Sequence, residues 1–132
     1  MASWLQQLLL VMLGGALGAA GRHWVGGALL RHLGDGFPWG TLTVNLLGSF
    51  AAGFLAIWLE GRGPAALYWR AFLIVGVLGG LTTYSALMLE CLLFARSHRG
   101  DQMLVYLAVS LLAGLALVWL GARSAGLMRS PF

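Results

Sequence analysis

Four apolar runs, each close to the length of a bilayer crossing, constrain this chain more than any other feature. Trp4 to Ala20 is interrupted only by Gln6 and Gln7 and ends at Arg22. Trp39 to Leu59 holds 21 residues without a charge, between Pro38 and Glu60. Ala71 to Leu89 lies between Arg70 and Glu90, and its apolar character continues to Ala95. Met103 to Ala122 lies between Asp101 and Arg123. A helix needs roughly 20 apolar residues to cross the hydrocarbon core. The first run is marginal in length and the other three are sufficient. Helices are the expected form, because every backbone group must find a partner away from water.

Composition agrees. Of 132 residues, 60% are hydrophobic and 9% are charged, where a soluble domain carries about a quarter charged. The main solvent of such a chain is lipid. The net charge of +4 does not point to nucleic acid, since the arginines are scattered between apolar runs and form no basic stripe. The single cysteine, Cys91, excludes an intramolecular disulfide. The N-terminus carries neither a positive n-region nor an A-x-A site, so the first run reads as a retained span. The connections "RHWVGGALLRHLGDGFP", "EGRGPAALYWR" and "RSHRGDQ" leave no room for a linker or a second domain. The expectation is one all-α membrane domain over 1–132, with spans near 4–21, 39–59, 70–95 and 102–122. Both termini then fall on one side.

All eight basic residues are arginine, and they divide evenly. Arg62, Arg70, Arg123 and Arg129 fall on one side, and Arg22, Arg31, Arg96 and Arg99 on the other. An arginine excess in cytoplasmic loops sets orientation, so an even split favours neither. Small-number scatter accounts for a tie. Dual topology, with copies inserted both ways and paired antiparallel, accounts for it as well. Gly14 and Gly18, Ser49 and Gly53, Gly76 and Gly80, and Ser110 and Gly114 are small-xxx-small pairs, which let membrane helices approach closely. Packing within the chain explains any one of them. Four helices of this size do not readily enclose a wide aqueous path, so transport calls for an oligomer.

The stretch "GVLGGLTTYSALMLE", Gly76 to Glu90, is unusual for a span. Gly76, Gly79 and Gly80 each lower helix stability by about 1 kcal/mol relative to alanine. The hydroxyls of Thr82 and Thr83 compete for nearby backbone groups. A break between Gly79 and Thr83 is expected. Such a break frees carbonyls that suit a small hard cation such as Na⁺, although the glycines serve helix packing equally well. Asn45 stands about one and a half turns into the second span. It either faces a cavity, where its amide suits an anion, or pins two helices together. Tyr106, Ser110 and Gly114 share one face of the fourth span at a spacing of four.

No ionisable residue lies near the middle of a span, and no metal-ligand cluster, phosphate loop, nucleophile elbow or carboxylate pair is present. Gly14, Gly15 and Gly18 follow no strand, so they do not form a nucleotide fingerprint. Catalysis needs a positioned acid, base or nucleophile, and an enzyme is not expected.

Three motifs in order, "GGALGAAGR", "WGTLTVNLLGSFAAGFL" and "GVLGGLTTYSALMLE", resemble the Fluc/CrcB fluoride channels. The resemblance covers most of the chain. It implies a multi-pass protein of the bacterial inner membrane, working as an antiparallel dual-topology homodimer with two fluoride pores. It implies a structural Na⁺ at the centre of the interface, held by the main-chain carbonyls of Gly79 and Thr82 in a broken third helix. By the same resemblance Asn45 donates to fluoride, Tyr84, Ser85 and Leu87 belong to the pore motif, and Tyr106 and Ser110 form a polar track. Arg22 matches an arginine at the end of the first helix, near one pore mouth. Glu90 matches a glutamate near the other end of the third helix. The family pattern after T-T is F-S-T-F, where this chain has Tyr84-Ser85-Ala86-Leu87. One ring is kept and one is lost, and Gly114 stands where a hydroxyl often continues the track.

The chemistry suits a small, strongly hydrated anion. Neutral amide, hydroxyl and aromatic-edge groups replace its water without holding it too tightly, as a fixed charge would. A small multidrug exporter is the main alternative, but it wants an acidic residue in the first span, where only Gln6 and Gln7 stand. A structural subunit with no pathway of its own is the third class.

Overall fold

The computed structural model describes residues 2–129, and they are helical apart from short turns. Helix α1 runs Ala2–Leu33 and α2 runs Trp39–Trp58. The third crossing is composite. It opens as α3, Ala65–Trp69, widens into π-type winding over Arg70–Leu78, and closes with one turn, α4, Gly79–Leu81. Helix α5, Tyr84–Arg96, then completes it, and α6 spans Gly100–Arg129. Thr82 and Thr83, between α4 and α5, both have extended backbone. Four helical stretches are long and apolar enough to cross a membrane, counting 65–96 as one. The chain is a multi-pass membrane protein.

The helices are longer than the apolar runs. Residues 22–33 read as a connection in the sequence, yet they continue α1. Gly26 and Gly27 cost the helix about 1 kcal/mol each, which does not end a helix that is packed elsewhere. A Cβ on Gly40 would lie 2.8 Å from the Gly26 Cα, so α1 and α2 meet backbone to backbone there. Termination comes at Gly34, where φ is +77° and the amide bonds the Leu30 carbonyl at 2.9 Å. Glycine supplies that left-handed conformation at no steric cost.

The paired small residues set the helix order. Gly14 and Gly18 of α1 pack on the backbone of residues 72–81, and Gly76 and Gly80 pack back on α1. Gly14 meets Gly76, and Gly18 meets Val77 and Leu81, so α1 and the third crossing run parallel. Gly53 meets Val118 while Gly121 meets Phe50, so α2 and α6 run antiparallel. Antiparallel pairing of α1 with α2 follows from Gly26 against Gly40. Each crossing therefore reverses the last, which puts the start of α1 and the end of α6 at one end of the bundle.

A small core forms at the opposite end. Leu42, Leu87, Cys91, Phe94 and Tyr106 are buried together. The Phe37 ring sits edge-on to Tyr106 at 5.3 Å between centroids, and Phe94 packs on Tyr106 at 6.0 Å. Large apolar side chains such as Leu13, Leu112 and Leu115 remain on the outer surface, as lipid-facing positions should.

The close approaches generate a paired prediction. In Gly18→Ala the new Cβ meets the Val77 carbonyl and lies 2.7 Å from the Leu81 amide. Overpacking of that kind costs about 1–3 kcal/mol. In Gly15→Ala the Cβ meets nothing within 4 Å, and the helix gains about 1 kcal/mol. Thermal unfolding in detergent should show a lower midpoint for the first variant and an equal or higher one for the second.

Candidate functional site

The site is built where α2 crosses the Thr82–Thr83 pair. The Thr82 amide still closes an i to i−4 bond on the Leu78 carbonyl at 2.9 Å, but the backbone groups of Thr83 leave the ladder and need outside partners. Asn45 supplies them. Its Nδ2 donates to the Thr83 carbonyl at 2.9 Å, and its Oδ1 accepts from the Thr83 amide at 2.7 Å. Thr82 and Thr83 handle the rest locally. The Thr82 hydroxyl donates to the Leu78 carbonyl at 2.7 Å, and the Thr83 hydroxyl accepts from the Ala86 amide at 3.2 Å, capping α5.

This rerouting releases a carbonyl. The Thr83 amide is the ordinary i+4 donor to the Gly79 carbonyl, and it is committed to Asn45 instead. The neighbouring Gly80 carbonyl takes a different donor, the Arg22 Nε at 3.0 Å. Arg22 was expected at the end of the first helix. It lies instead well inside α1, because the helix continues to Leu33, and there it is half-buried. Its guanidinium reaches across α1 to the end of α4.

Asn45, Gly79, Thr82, Thr83, Tyr84 and Leu87 line one open cavity of about 410 Å³. Tyr84 is 74% exposed, with its ring at the cavity rim, while Leu87 is 7% exposed and belongs mainly to the core. Ser85 lies outward on α5, 3.3 Å from the Thr83 hydroxyl. The pore motif of the sequence is thus split between a surface ring and a core side chain.

A second polar group sits deeper in the core. Glu90 on α5 accepts from the Thr41 hydroxyl at 2.6 Å through one carboxylate oxygen and from the Tyr106 hydroxyl at 2.5 Å through the other. Tyr106 is fully buried, so a carboxylate ties α2, α5 and α6 together inside the bundle. The sequence groups Tyr106 with Ser110 in one track, and the structure adds Thr41 as a partner of the same carboxylate. The available signal was the spacing, since Thr41 precedes Asn45 by four residues and shares its face of α2. The Ser110 Oγ is buried and has no hydrogen-bond partner among the described residues. No group of three or more His, Cys, Asp or Glu side chains comes together among the described residues.

Residues 9–122 match the family model described as CrcB-like protein, Camphor Resistance (CrcB). The chain belongs to the CrcB family. It is 63% identical over 121 residues to a protein of Xanthomonas euvesicatoria named fluoride-specific ion channel FluC, covering 92% of this chain and 91% of the relative. A Xylella fastidiosa protein of the same name is 60% identical over 120 residues, covering 91% and 84% of the two chains. A Caulobacter vibrioides protein of that name is 43% identical over 118 residues, covering 89% and 93%. The family is one of ion channels rather than enzymes, and the multidrug-exporter alternative falls with this membership.

The Asn45 geometry makes a specific prediction. Asn45→Ala removes partners from a backbone amide and a backbone carbonyl at once. The expected destabilisation is roughly 2–4 kcal/mol, since each group left unpaired costs about 1–2. Amide hydrogen exchange should accelerate at Thr83 and Tyr84 and stay unchanged in the outer half of α6. Unaltered exchange at Thr83 would mean that its amide does not depend on Asn45.

Proposed function

We propose that this protein is a fluoride-selective channel that lets fluoride leave the cell passively across the bacterial inner membrane. The carrying observation is the kinship with relatives named fluoride-specific ion channels over nearly the whole chain, together with the neutral donors around Asn45. One hydrogen of the Asn45 amide goes to Thr83. An amide nitrogen carries two, and the second remains for an anion in the cavity. Tyr84 offers its positive ring edge at the rim, Ser85 a hydroxyl beside it, and Ser110 a buried hydroxyl without a partner among the described residues. Leu87 walls the cavity with an aliphatic surface. Glu90 holds the Tyr106 hydroxyl in place at the inner end, and Arg22 adds positive potential near the Gly80 carbonyl. None of the neutral donors carries a charge that would trap the ion.

The functional unit in this reading is an antiparallel, dual-topology homodimer with a structural Na⁺ at its centre. The donor chemistry fits that ion. Gly79 is released from the helical ladder, Thr82 is extended, and both face the same open cavity. Their main-chain carbonyls are hard oxygen donors. One chain brings only two of them, and a hard cation takes several, so a second copy completes the set. The ion would supply a fixed positive charge between the subunits.

Fluoride efflux from liposomes holding this protein alone tests the channel reading. Fluoride should leave and chloride should not, and no flux of either would make the protein a subunit without a pathway. Tyr84→Phe should keep the flux per dimer. Tyr84→Ala should lower it by about fivefold to tenfold, the equivalent of about 1–1.4 kcal/mol of edge-on stabilisation. For topology, a Ser97→Cys label in a Cys91→Ala background should be modified about half from each side of the native membrane. Labelling from one side only would reject the antiparallel pair. For the cation, exchanging Na⁺ for a bulky organic cation should lower the unfolding midpoint of the dimer, and an unchanged midpoint would remove Na⁺ from this reading.

A further inference from the structure

The even division of arginines hides an uneven division of charge. At the end that holds the 58–65 connection, Arg62, Arg70, Arg123 and Arg129 face a single carboxylate, Glu60, which leaves 4 − 1 = +3. At the other end Arg22, Arg31, Arg96 and Arg99 are set against Asp35, Asp101 and Glu90, which leaves 4 − 3 = +1.

Three of the arginines at the 58–65 end, Arg62, Arg70 and Arg129, converge on α2. Three consecutive carbonyls in the last turn of α2 accept arginine, and the Ile57 carbonyl does so alongside the Glu60 amide at 3.1 Å. Arg70 Nη1 donates to the Ala56 carbonyl at 3.3 Å, Arg129 Nη1 to Ile57 at 2.5 Å, and Arg62 Nε to Trp58 at 2.8 Å. Indole rings hold two of the cations in place. The Arg62 guanidinium lies 4.2 Å over the Trp58 ring, and the Arg123 guanidinium 5.0 Å over the Trp119 ring. Each guanidinium has five N–H donors in a planar fork, so most of them remain free after these contacts. Between α2 and α6 lies an open cavity of about 330 Å³, lined by Ile57 and by Trp119, Arg123 and Leu127 of α6. A cationic rim above an apolar slot, with tryptophans alongside, is the layout of a membrane interface.

We infer that this end of the bundle binds the headgroup of an anionic phospholipid. The phosphate sits against Arg62, Arg123 and Arg129, and an acyl chain lies in the slot against Trp119 and Leu127. Charge complementarity selects the headgroup, since a zwitterionic lipid brings its own cation into a site already at +3. The carbonyl contacts and the tryptophan stacking hold the arginines in position before the lipid arrives, which lowers the entropy cost of binding. The fluoride reading is not needed for this site.

Native mass spectrometry of the full chain, titrated with phosphatidylglycerol or phosphatidylcholine, tests it. Phosphatidylglycerol should bind in preference to phosphatidylcholine. The double variant R62Q/R123Q should bind it about 25-fold more weakly, roughly fivefold for each arginine near the surface. The double variant R31Q/R96Q removes the same charge from the other end and should bind as the parent does. Equal weakening in both variants would mean diffuse attraction and no site. Inorganic phosphate should not compete at millimolar concentration, because it cannot fill the slot, and effective competition would assign the site to a free anion. Loss of the dimer by R62Q/R123Q in phosphatidylcholine alone would show that a second copy covers this face, and would overturn the proposal. Circular dichroism of the variants separates these outcomes from misfolding.

Discussion

The site depends on one exchange of hydrogen bonds, between the Asn45 amide and both backbone groups of Thr83. Two extended residues in a membrane span leave an amide and a carbonyl that lipid cannot satisfy, and the cost is several kcal/mol for each group. Asn45 meets both from a neighbouring helix, at 2.9 and 2.7 Å. Asparagine is the fitting residue because its side chain ends in the same donor and acceptor as a peptide group. Without it the extended pair would have reason to rewind into the helix, and the Gly79 carbonyl would return to the ladder.

Close helix packing makes that exchange geometrically possible. Asn45 is short, so α2 must lie near the third crossing. Gly48, one turn on, meets the Thr82 side chain directly. On the far side α1 holds the same segment through Gly14 and Gly18, and Arg22 takes the Gly80 carbonyl. The extended pair is thus gripped from two helices. A larger residue at Gly14 or Gly18 moves a whole helix, because the contacts there are with backbone, whereas at Gly48 it meets the Thr82 methyl group.

The Glu90 cluster shows a related constraint. A carboxylate inside a membrane bundle is costly unless its oxygens are bonded. Thr41 and Tyr106 each donate to one oxygen, and the aromatic packing of Phe37 and Phe94 around Tyr106 fixes the donor's position. Two polar arrangements on α2, one turn apart, therefore share a helix face: Thr41 for Glu90 and Asn45 for Thr83. That face is the polar seam of the molecule.

The sequence by itself determined the membrane class, the number of crossings and the small-residue pairs, because apolar length and residue size are local properties. It marked Gly79 to Thr83 and Asn45 as exceptional, since glycines, paired threonines and an amide stand out against lipid-soluble neighbours. Tertiary structure alone decided what the exceptional residues touch. Whether Asn45 served a cavity or another helix was open in the sequence, and the fold gives it both a bond to Thr83 and a place on the cavity wall. Leu87 belongs to the pore motif in sequence yet packs chiefly in the core, because the turn of α5 that leaves Tyr84 exposed lays Leu87 against Leu42, Cys91, Phe94 and Tyr106. Arg22 looked like the end of a helix, since charge usually ends a span. The helix ran on because Gly26 found Gly40 across the bundle, a partner 14 residues away in sequence that no local pattern names.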